Sequence, residues 1–256
     1  MSEKQNPDEE FRRLAENCDH APGPQGEGFP EWARDGVIEN LPQFFDGTAH
    51  VWDARFAGNY KELHQAVAAQ IPATDEPIAI LDVGCGTGLE LEYVFERAPN
   101  ARITCLDQSP RMLAELQRKY AARQAQLTLV EASVVEWPAG LRGFDCVLSI
   151  LVLHHFPPKT KPAIYADICA ALKEGGRYIE GDQMVPPALA EENLKLFNAW
   201  IAKLPGGEQG LWNYDVRLSA ETNISLVLQA GFADCRKVWD DGDEGADGHS
   251  VLVATK

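Results

Sequence analysis

Basic charge is scarce in this chain. Across 256 residues, 23 lysines and arginines face 39 aspartates and glutamates, a formal net charge of -16, so the surface as a whole repels a polyanion. No cluster of Lys and Arg interrupts that field, which argues against nucleic acid as a partner. Long apolar runs are missing too. Nothing approaches the roughly 20 apolar residues that a membrane span requires, and the opening "MSEKQNPDEEFRR" has no apolar signal core. The six cysteines, Cys18, Cys85, Cys105, Cys146, Cys169 and Cys235, are scattered singly with no Cys-x-x-Cys, and most fall in apolar segments. That pattern excludes a disulfide framework and a thiolate zinc site, and it suits a reducing compartment. The expectation is a soluble protein of the cytoplasm with no membrane partner. Composition says nothing of its oligomeric state.

What is present is a rhythm. With 45% hydrophobic content the chain can bury a sizeable core, and four apolar runs, "IAILDVG", "ARITCLD", "LTLVEAS" and "FDCVLSILVL", alternate with helical patterns. A continuous Val/Ile/Leu run is what a strand covered on both faces looks like, so the segments predict a parallel sheet with crossover helices. Ser109 and Pro110 supply an N-cap and first-turn proline for a helix carrying Met112, Leu113, Leu116 and Tyr120. Ile164, Ile168 and Leu172 form a stripe that stops at Gly175 and Gly176, suited to a C-cap. A fifth strand, "RYIEGD", follows, and Ser219 opens a further helix. The last two runs, "CRKVWD" and "HSVLVAT", are joined by "DGDEGADG" with no room for a helix, so they should pair as an antiparallel hairpin. Tyr60, Leu63, Val67 and Ile71 predict one more amphipathic helix before the sheet begins.

The appendages lie at two places. Residues 1–43 read as a flexible arm and the start of a cap, since "HAPGPQGEGFP" is dense in Gly and Pro. Residues 44–256 then form the main domain, with a cap insertion at about 184–218 whose Phe197, Trp200, Ile201 and Leu204 suit one helix after Pro186 and Pro187. No internal repeat appears.

The densest signal is "ILDVGCGTGLELEYV", where Gly84, Gly86 and Gly88 follow a buried strand. Glycines at such a turn let the backbone approach a ligand closely and adopt positive φ. A dinucleotide fingerprint needs its third glycine one place later, where Leu89 stands. It would also seat a pyrophosphate at a helix N-terminus beside Glu90 and Glu92, which would repel it. The glycine turn holds no Lys followed by Ser or Thr, so a phosphate-cradling P-loop is excluded there. A ligand without phosphates fits.

In order and spacing, "LDVGCGTG", "CLDQSPRML", "VEASVVEWP", "FDCVLSILVLHHF" and "LKEGGRYIEGD" resemble the successive motifs of class I S-adenosylmethionine-dependent methyltransferases, from roughly Phe44 to the C-terminus. The resemblance implies a Rossmann-like, seven-stranded, mostly parallel sheet with helices on both faces and a C-terminal antiparallel hairpin. It also implies S-adenosyl-L-methionine as cofactor and S-adenosyl-L-homocysteine as product. By position, Asp82 would hold the glycine loop and approach the cofactor's ammonium, while Gly84, Gly86 and Gly88 line its methionine part. Asp107 would accept both ribose hydroxyls, and Gln108 and Met112 would flank the adenine. Ala132, Ser133 and Val134 occupy the adenine-edge stretch, with Ser133 where many relatives carry Asp. Ser149 and Ile150 would face the methionine part. The segment "FFDGTAHVWDARF" looks like the family's entry segment, with Trp52 in place of the usual Tyr; Arg55 would pair with the cofactor carboxylate or else form a surface salt bridge.

A sulfonium methyl is already activated, so the resemblance implies in-line displacement in which the protein aligns the acceptor and excludes water. The candidates for a catalytic base are His154 and His155, with orientation of their loop as the alternative. On extended backbone the two would point to opposite faces, which rules out a shared metal, and no other spacing suits one. Asp182 is a further cavity candidate, and Trp200, Trp212 and Tyr214 either line an acceptor pocket or pack as core. Acidic charge and caps at both ends favour a small-molecule acceptor. A noncatalytic sensor of the cofactor and a tRNA or protein methyltransferase are the competing readings.

Overall fold

The computed structural model describes residues 7–22, 37–207, 211–243, 245 and 248–256. Its centre is a seven-stranded sheet in the order β5-β4-β3-β6-β7-β9-β8. The strands are β3 (Ala79–Val83), β4 (Arg102–Asp107), β5 (Leu127–Glu131), β6 (Phe144–Ile150), β7 (Leu172–Gln183), β8 (Asp234–Asp240) and β9 (His249–Thr255). From β5 to β7 every pairing is parallel. The strand β9 runs antiparallel to both β7 and β8, which gives the expected terminal hairpin.

Period-two alternation distributes the core over both sheet faces. Ile80, Ile103 and Leu148 pack on one side against Leu63 and Val67 of α3 (Lys61–Ala68), Leu91 and Val94 of α4 (Leu91–Arg97), and Leu113 and Leu116 of α5 (Pro110–Lys119). Leu81, Val83 and Val147 point the other way, onto Ile164 and Ile168 of α6 (Lys161–Ala171) and Val227 of α8 (Ala220–Gln229). Ser109 caps α5 as expected, its side chain accepting from the Met112 N–H, and Ser219 caps α8 in the same way through the Thr222 N–H.

Two expectations need correction. Gly175 and Gly176 do not cap α6: the helix ends at Ala171 and the chain passes directly into β7 at Leu172. The pairing with β6 jumps from Phe144↔Leu172 to Cys146↔Arg177, and Gly175, at φ 73°, sits in the extra loop of strand that this shift leaves. The N-terminal arm is also not simply loose. Helix α1 (Pro7–Ala15) packs on α2 (Leu41–Phe56), with Phe11 set edge-on against Phe44 and Phe56 at centroid distances of 5.7 and 5.4 Å. Short strands β1 (His20–Pro22) and β2 (Val37–Glu39) pair antiparallel. The Gly/Pro-rich stretch between them lies outside the described residues.

The arm and the insertion form one cap. Helix α7 (Pro187–Ile201) follows Pro186 as expected, and its Phe197, Trp200 and Ile201 share a hydrophobic cluster with Ala21, Ile38, Trp212 and Tyr214. Backbone bonds from Leu41 N to Leu211 O (2.8 Å) and from Asn213 N to Glu39 O (2.8 Å) stitch the two segments together. Trp200, Trp212 and Tyr214 are therefore core of the cap and do not line the cleft described next.

Candidate active site

Parallel strands offer their C-terminal ends as a rim, and a crevice opens where the strand order reverses, between β3 and β6. A cleft with about 870 Å³ of empty space, its solvent-filled mouth included, occupies that place. Gly84 to Thr87 after β3, Asp107 and Gln108 after β4, Ser133 and Val134 after β5, and Ile150 to Val152 after β6 form its floor. Helix α2 forms the opposite wall with Phe45, Trp52 and Phe56.

The three glycines do different jobs. A Cβ on Gly84 would stand 2.5 Å from Val152 Cγ2, and one on Gly88 would stand 3.0 Å from Leu116 Cδ1 and Leu91 Cδ1. Those two are bare so that neighbouring elements can close up, and their φ of 70° and 69° disfavours a side chain as well. Only Gly86, at φ 49°, faces open space with nothing within 4 Å of a Cβ, so it is the position where backbone is exposed to a ligand. Gly88, expected at the methionine part, is not in the cleft wall.

Asp107 lies in the wall, its Oδ2 accepting from Gly86 N–H (2.8 Å) and its Oδ1 from Ser109 N–H (2.8 Å). A carboxylate has about four lone-pair sites, so each oxygen keeps one for a ligand hydroxyl. Burial raises its pKa against the pull of those backbone donors. Asp82 lies behind the loop and outside the wall; burial, then its Glu90 neighbour, holds its carboxyl well above the usual range. Glu90, read from the sequence only as a charge that would repel a pyrophosphate, is the residue of this pair that reaches the cleft. Asp82 Oδ2 and Glu90 Oε1 are both buried without a hydrogen-bond partner. Two orphaned carboxyl oxygens behind a bare glycine backbone fit a ligand that brings a cationic donor.

Gln108, Met112, Ser133, Val134, Ile150 and Trp52 all line the cleft. Three other expected residues do not. Ala132 is absent from the wall and gives its N–H to the Asp107 carbonyl (3.0 Å). Ser149 turns to the other face of β6, where it bonds the Tyr178 hydroxyl (2.7 Å), because successive strand residues alternate faces. Arg55 points away and pairs with Asp8 (2.9 Å), the surface salt bridge that was its alternative.

Helix α2 is fastened across this floor at two points seven residues apart. Asp46 accepts from Ser109 Oγ (3.0 Å) and Arg111 N–H (3.1 Å). Asp53 meets Lys119 Nζ (2.6 Å) and Thr87 Oγ1 (2.5 Å). A spacing of seven puts both carboxylates on one helix face.

The histidines overturn an expectation. Leu151 has φ 56°, unusual for a residue with a Cβ, and directs the chain into a 3-10 turn at Leu153–His155. The backbone is not extended there, so His154 and His155 do not point to opposite faces; their ring centroids are 4.0 Å apart. His155 lines the cleft, whereas His154 is buried behind it, with Nδ1 2.5 Å from Asp182 Oδ1 and its N–H donating to Asp182 Oδ2 (3.0 Å). The Asp182 carboxylate outweighs burial and lifts the His154 pKa above its ordinary value. Burial and the neighbouring His154 charge push His155 down to about 3, so its ring is neutral at physiological pH. Asp215, which sequence reading missed, comes from the insertion and stands 3.6 Å from His155 Nδ1 and 3.7 Å from His154 Nε2. Docking of Val216 N–H on the His154 carbonyl (2.7 Å) delivers it there.

A methyltransferase-domain family model matches residues 80–176, which span the glycine loop, Asp107 and the histidine turn. Over that stretch the chain is similar to the class I S-adenosylmethionine-dependent methyltransferases. Among curated relatives, the release factor glutamine methyltransferase of Geobacter sulfurreducens is 29% identical over 61% of the chain. The erythromycin 3''-O-methyltransferase of Saccharopolyspora erythraea is 28% identical over 80% of it. The chain spans 52% of the first enzyme's length and 64% of the second's. The solved DhpI–SAH complex superposes with a TM-score of 0.62 at 17% identity, covering 84% of this chain and 95% of that one, which supports the fold. S-adenosylmethionine is the family's cofactor, and Gly86, Asp107, Glu90 and Met112 are the groups of this cleft whose chemistry fits it.

Proposed function

We propose that this chain transfers the methyl group of S-adenosylmethionine to a small-molecule acceptor bound between helix α2 and the histidine turn. The observation that carries the reading is the combination, on one cleft floor, of bare backbone at Gly86 and a two-oxygen acceptor at Asp107, with orphaned Asp82 and Glu90 oxygens behind it. Bound there, the cofactor supplies a methyl on a cationic sulfur, already activated for displacement. What remains for the protein is alignment and exclusion of water.

The aromatic wall supports both tasks. Trp52 packs 4.4 Å from Phe56 and 5.2 Å from Phe45, and Phe45 lies 5.4 Å from the His155 ring. This leaves His155 as a neutral polar group at the apolar end of the cleft, able to orient an acceptor oxygen or nitrogen. His154, held by Asp182, is a positioning residue for that turn. A small-molecule acceptor is also what the erythromycin 3''-O-methyltransferase relative is named for. Cysteines without disulfide partners support a reducing, cytoplasmic setting.

The test is transfer from methyl-labelled S-adenosylmethionine into a cell extract split by size. Label in the small-molecule fraction is the expected result. Label retained on protein or RNA would move the acceptor class, and cofactor binding with no transfer to any fraction would favour the sensor reading.

A further inference from the structure

We propose that His154, His155 and Asp215 form a site for one divalent transition-metal ion of the zinc class. One ligand atom from each of the three residues lies within 4.8 Å of the other two, and Asp215 Oδ1 faces both His154 Nε2 and His155 Nδ1. An ion held at zinc distances of about 2.0–2.1 Å in tetrahedral geometry sets neighbouring donor atoms about 3.3 Å apart. The carboxylate oxygen stands 3.7 and 3.6 Å from the two imidazole nitrogens. That is too long for hydrogen bonds, whose N···O distance is at most about 3.2 Å, yet within a few tenths of an ångström of shared coordination.

The surroundings prepare each atom for the role. His154 Nδ1 is committed to Asp182 Oδ1, which leaves Nε2 as the coordinating nitrogen. A carboxylate on the far nitrogen of a ligating histidine is the usual outer-shell partner, fixing tautomer and ring angle. His155 Nδ1 is buried with no hydrogen-bond partner. Asp215 gives its other oxygen to Arg217 Nη2 (3.2 Å), so Oδ1 stays available. Besides the two histidines, the cations that act on these carboxylates are Arg217 on Asp215 and the buried Lys161 on Asp182. Two nitrogens and one oxygen suit zinc or a similar ion better than magnesium or calcium, which take oxygen shells.

Three protein ligands leave a further coordination position for water or an acceptor oxygen. Because His155 lines the cleft, that position belongs to the acceptor end, and an acceptor hydroxyl or carboxylate would bind the ion directly. Ion binding does not depend on methyl transfer, so the site can stand or fall apart from the proposed activity.

Co2+ is the probe, because its visible absorption reports coordination number and nitrogen against sulfur ligands. Titrated into the full chain, Co2+ should bind at one equivalent with the spectrum of a four- or five-coordinate ion lacking thiolate charge transfer, and Zn2+ should displace it. His155→Gln and Asp215→Asn should each weaken Co2+ by 10-fold or more, and Asp182→Asn by about 10- to 100-fold. Affinity for S-adenosylhomocysteine, measured on the same variants, shows that each still folds. Substoichiometric uptake by the wild type would overturn the site. So would a spectrum and affinity unchanged in the His155→Gln, Asp215→Asn double variant, which would put the ion on cysteines or on the acidic hairpin.

Discussion

Replacing Asp107 with alanine removes two things at once, and the structure allows them to be separated. The carboxylate tethers the glycine loop through Gly86 N–H and its own turn through Ser109 N–H, each at 2.8 Å, and keeps one lone pair per oxygen for a ribose diol. Losing charge-assisted bonds to the diol costs about 1 to 3 kcal/mol, or roughly 5- to 150-fold in dissociation constant. Calorimetry with S-adenosylhomocysteine reads that change. A second ligand lacking the ribose 2'-hydroxyl isolates the contact: the wild type should discriminate against it, and Asp107→Ala should not. If only the tether mattered, both ligands would weaken equally in the variant and the discrimination would survive. Either that result or an affinity within twofold of wild type would refute the assignment. Because burial holds this carboxyl above its ordinary pKa, acidification should also begin to weaken binding at a higher pH than an ordinary aspartate would allow.

Other perturbations probe the loop, the clasp and the buried network. Gly84→Ala forces a Cβ to 2.5 Å from Val152 and should cost on the order of 2 to 4 kcal/mol in urea unfolding, whereas Gly86→Ala meets nothing within 4 Å. The second variant should unfold within about 2 kcal/mol of wild type yet bind S-adenosylhomocysteine at least tenfold more weakly; the reverse ranking would sink the division of roles. Asp53→Asn loosens the α2 clasp on Lys119 and Thr87, and for such a partly exposed pair a two- to fivefold faster ligand dissociation in stopped flow is expected. No change in that rate would mean that α2 does not gate the cleft. Glu180, buried beneath the sheet among Tyr165, Tyr178 and Lys161, is raised by burial from 4.5 to about 7. The folded state therefore keeps a proton that the unfolded chain has lost, so stability should fall as pH rises from about 5 to about 7, by at most about 3 kcal/mol. Glu180→Gln should flatten that slope between melts at pH 5 and pH 8, and parallel slopes would contradict it.

Local chemistry was legible because it repeats at a fixed period or needs a particular residue. Apolar runs in the series from Ile78 to Leu153 named the parallel strands, Ser109 with Pro110 marked the start of α5, and "DGDEGADG" left room only for a hairpin. Asp107 and Gln108 end a strand and Gly86 sits in its turn, so strand-end positions carried most of the cleft floor. Where a side chain's role depended on a neighbour far along the chain, the sequence was mute. Gly84 is bare because Val152, 68 positions later, packs against it, and Arg55 faces Asp8 because α1 docks on α2. Ser149 and Ile150 are adjacent, yet strand alternation sends only one to the cleft.

The sequence by itself therefore determined the strands, the helices that alternate with them, the terminal hairpin and the glycine turn, since hydrophobic period and backbone stereochemistry are properties of short segments. Tertiary structure alone decided what gathers at the acceptor end. A left-handed Leu151 bends the chain so that two imidazoles share one side, and an insertion that folds with the N-terminal arm brings Asp215 to them from 60 residues away. No local pattern encodes that meeting, because it rests on the burial of Trp200, Trp212 and Tyr214 in a cap core assembled from both segments.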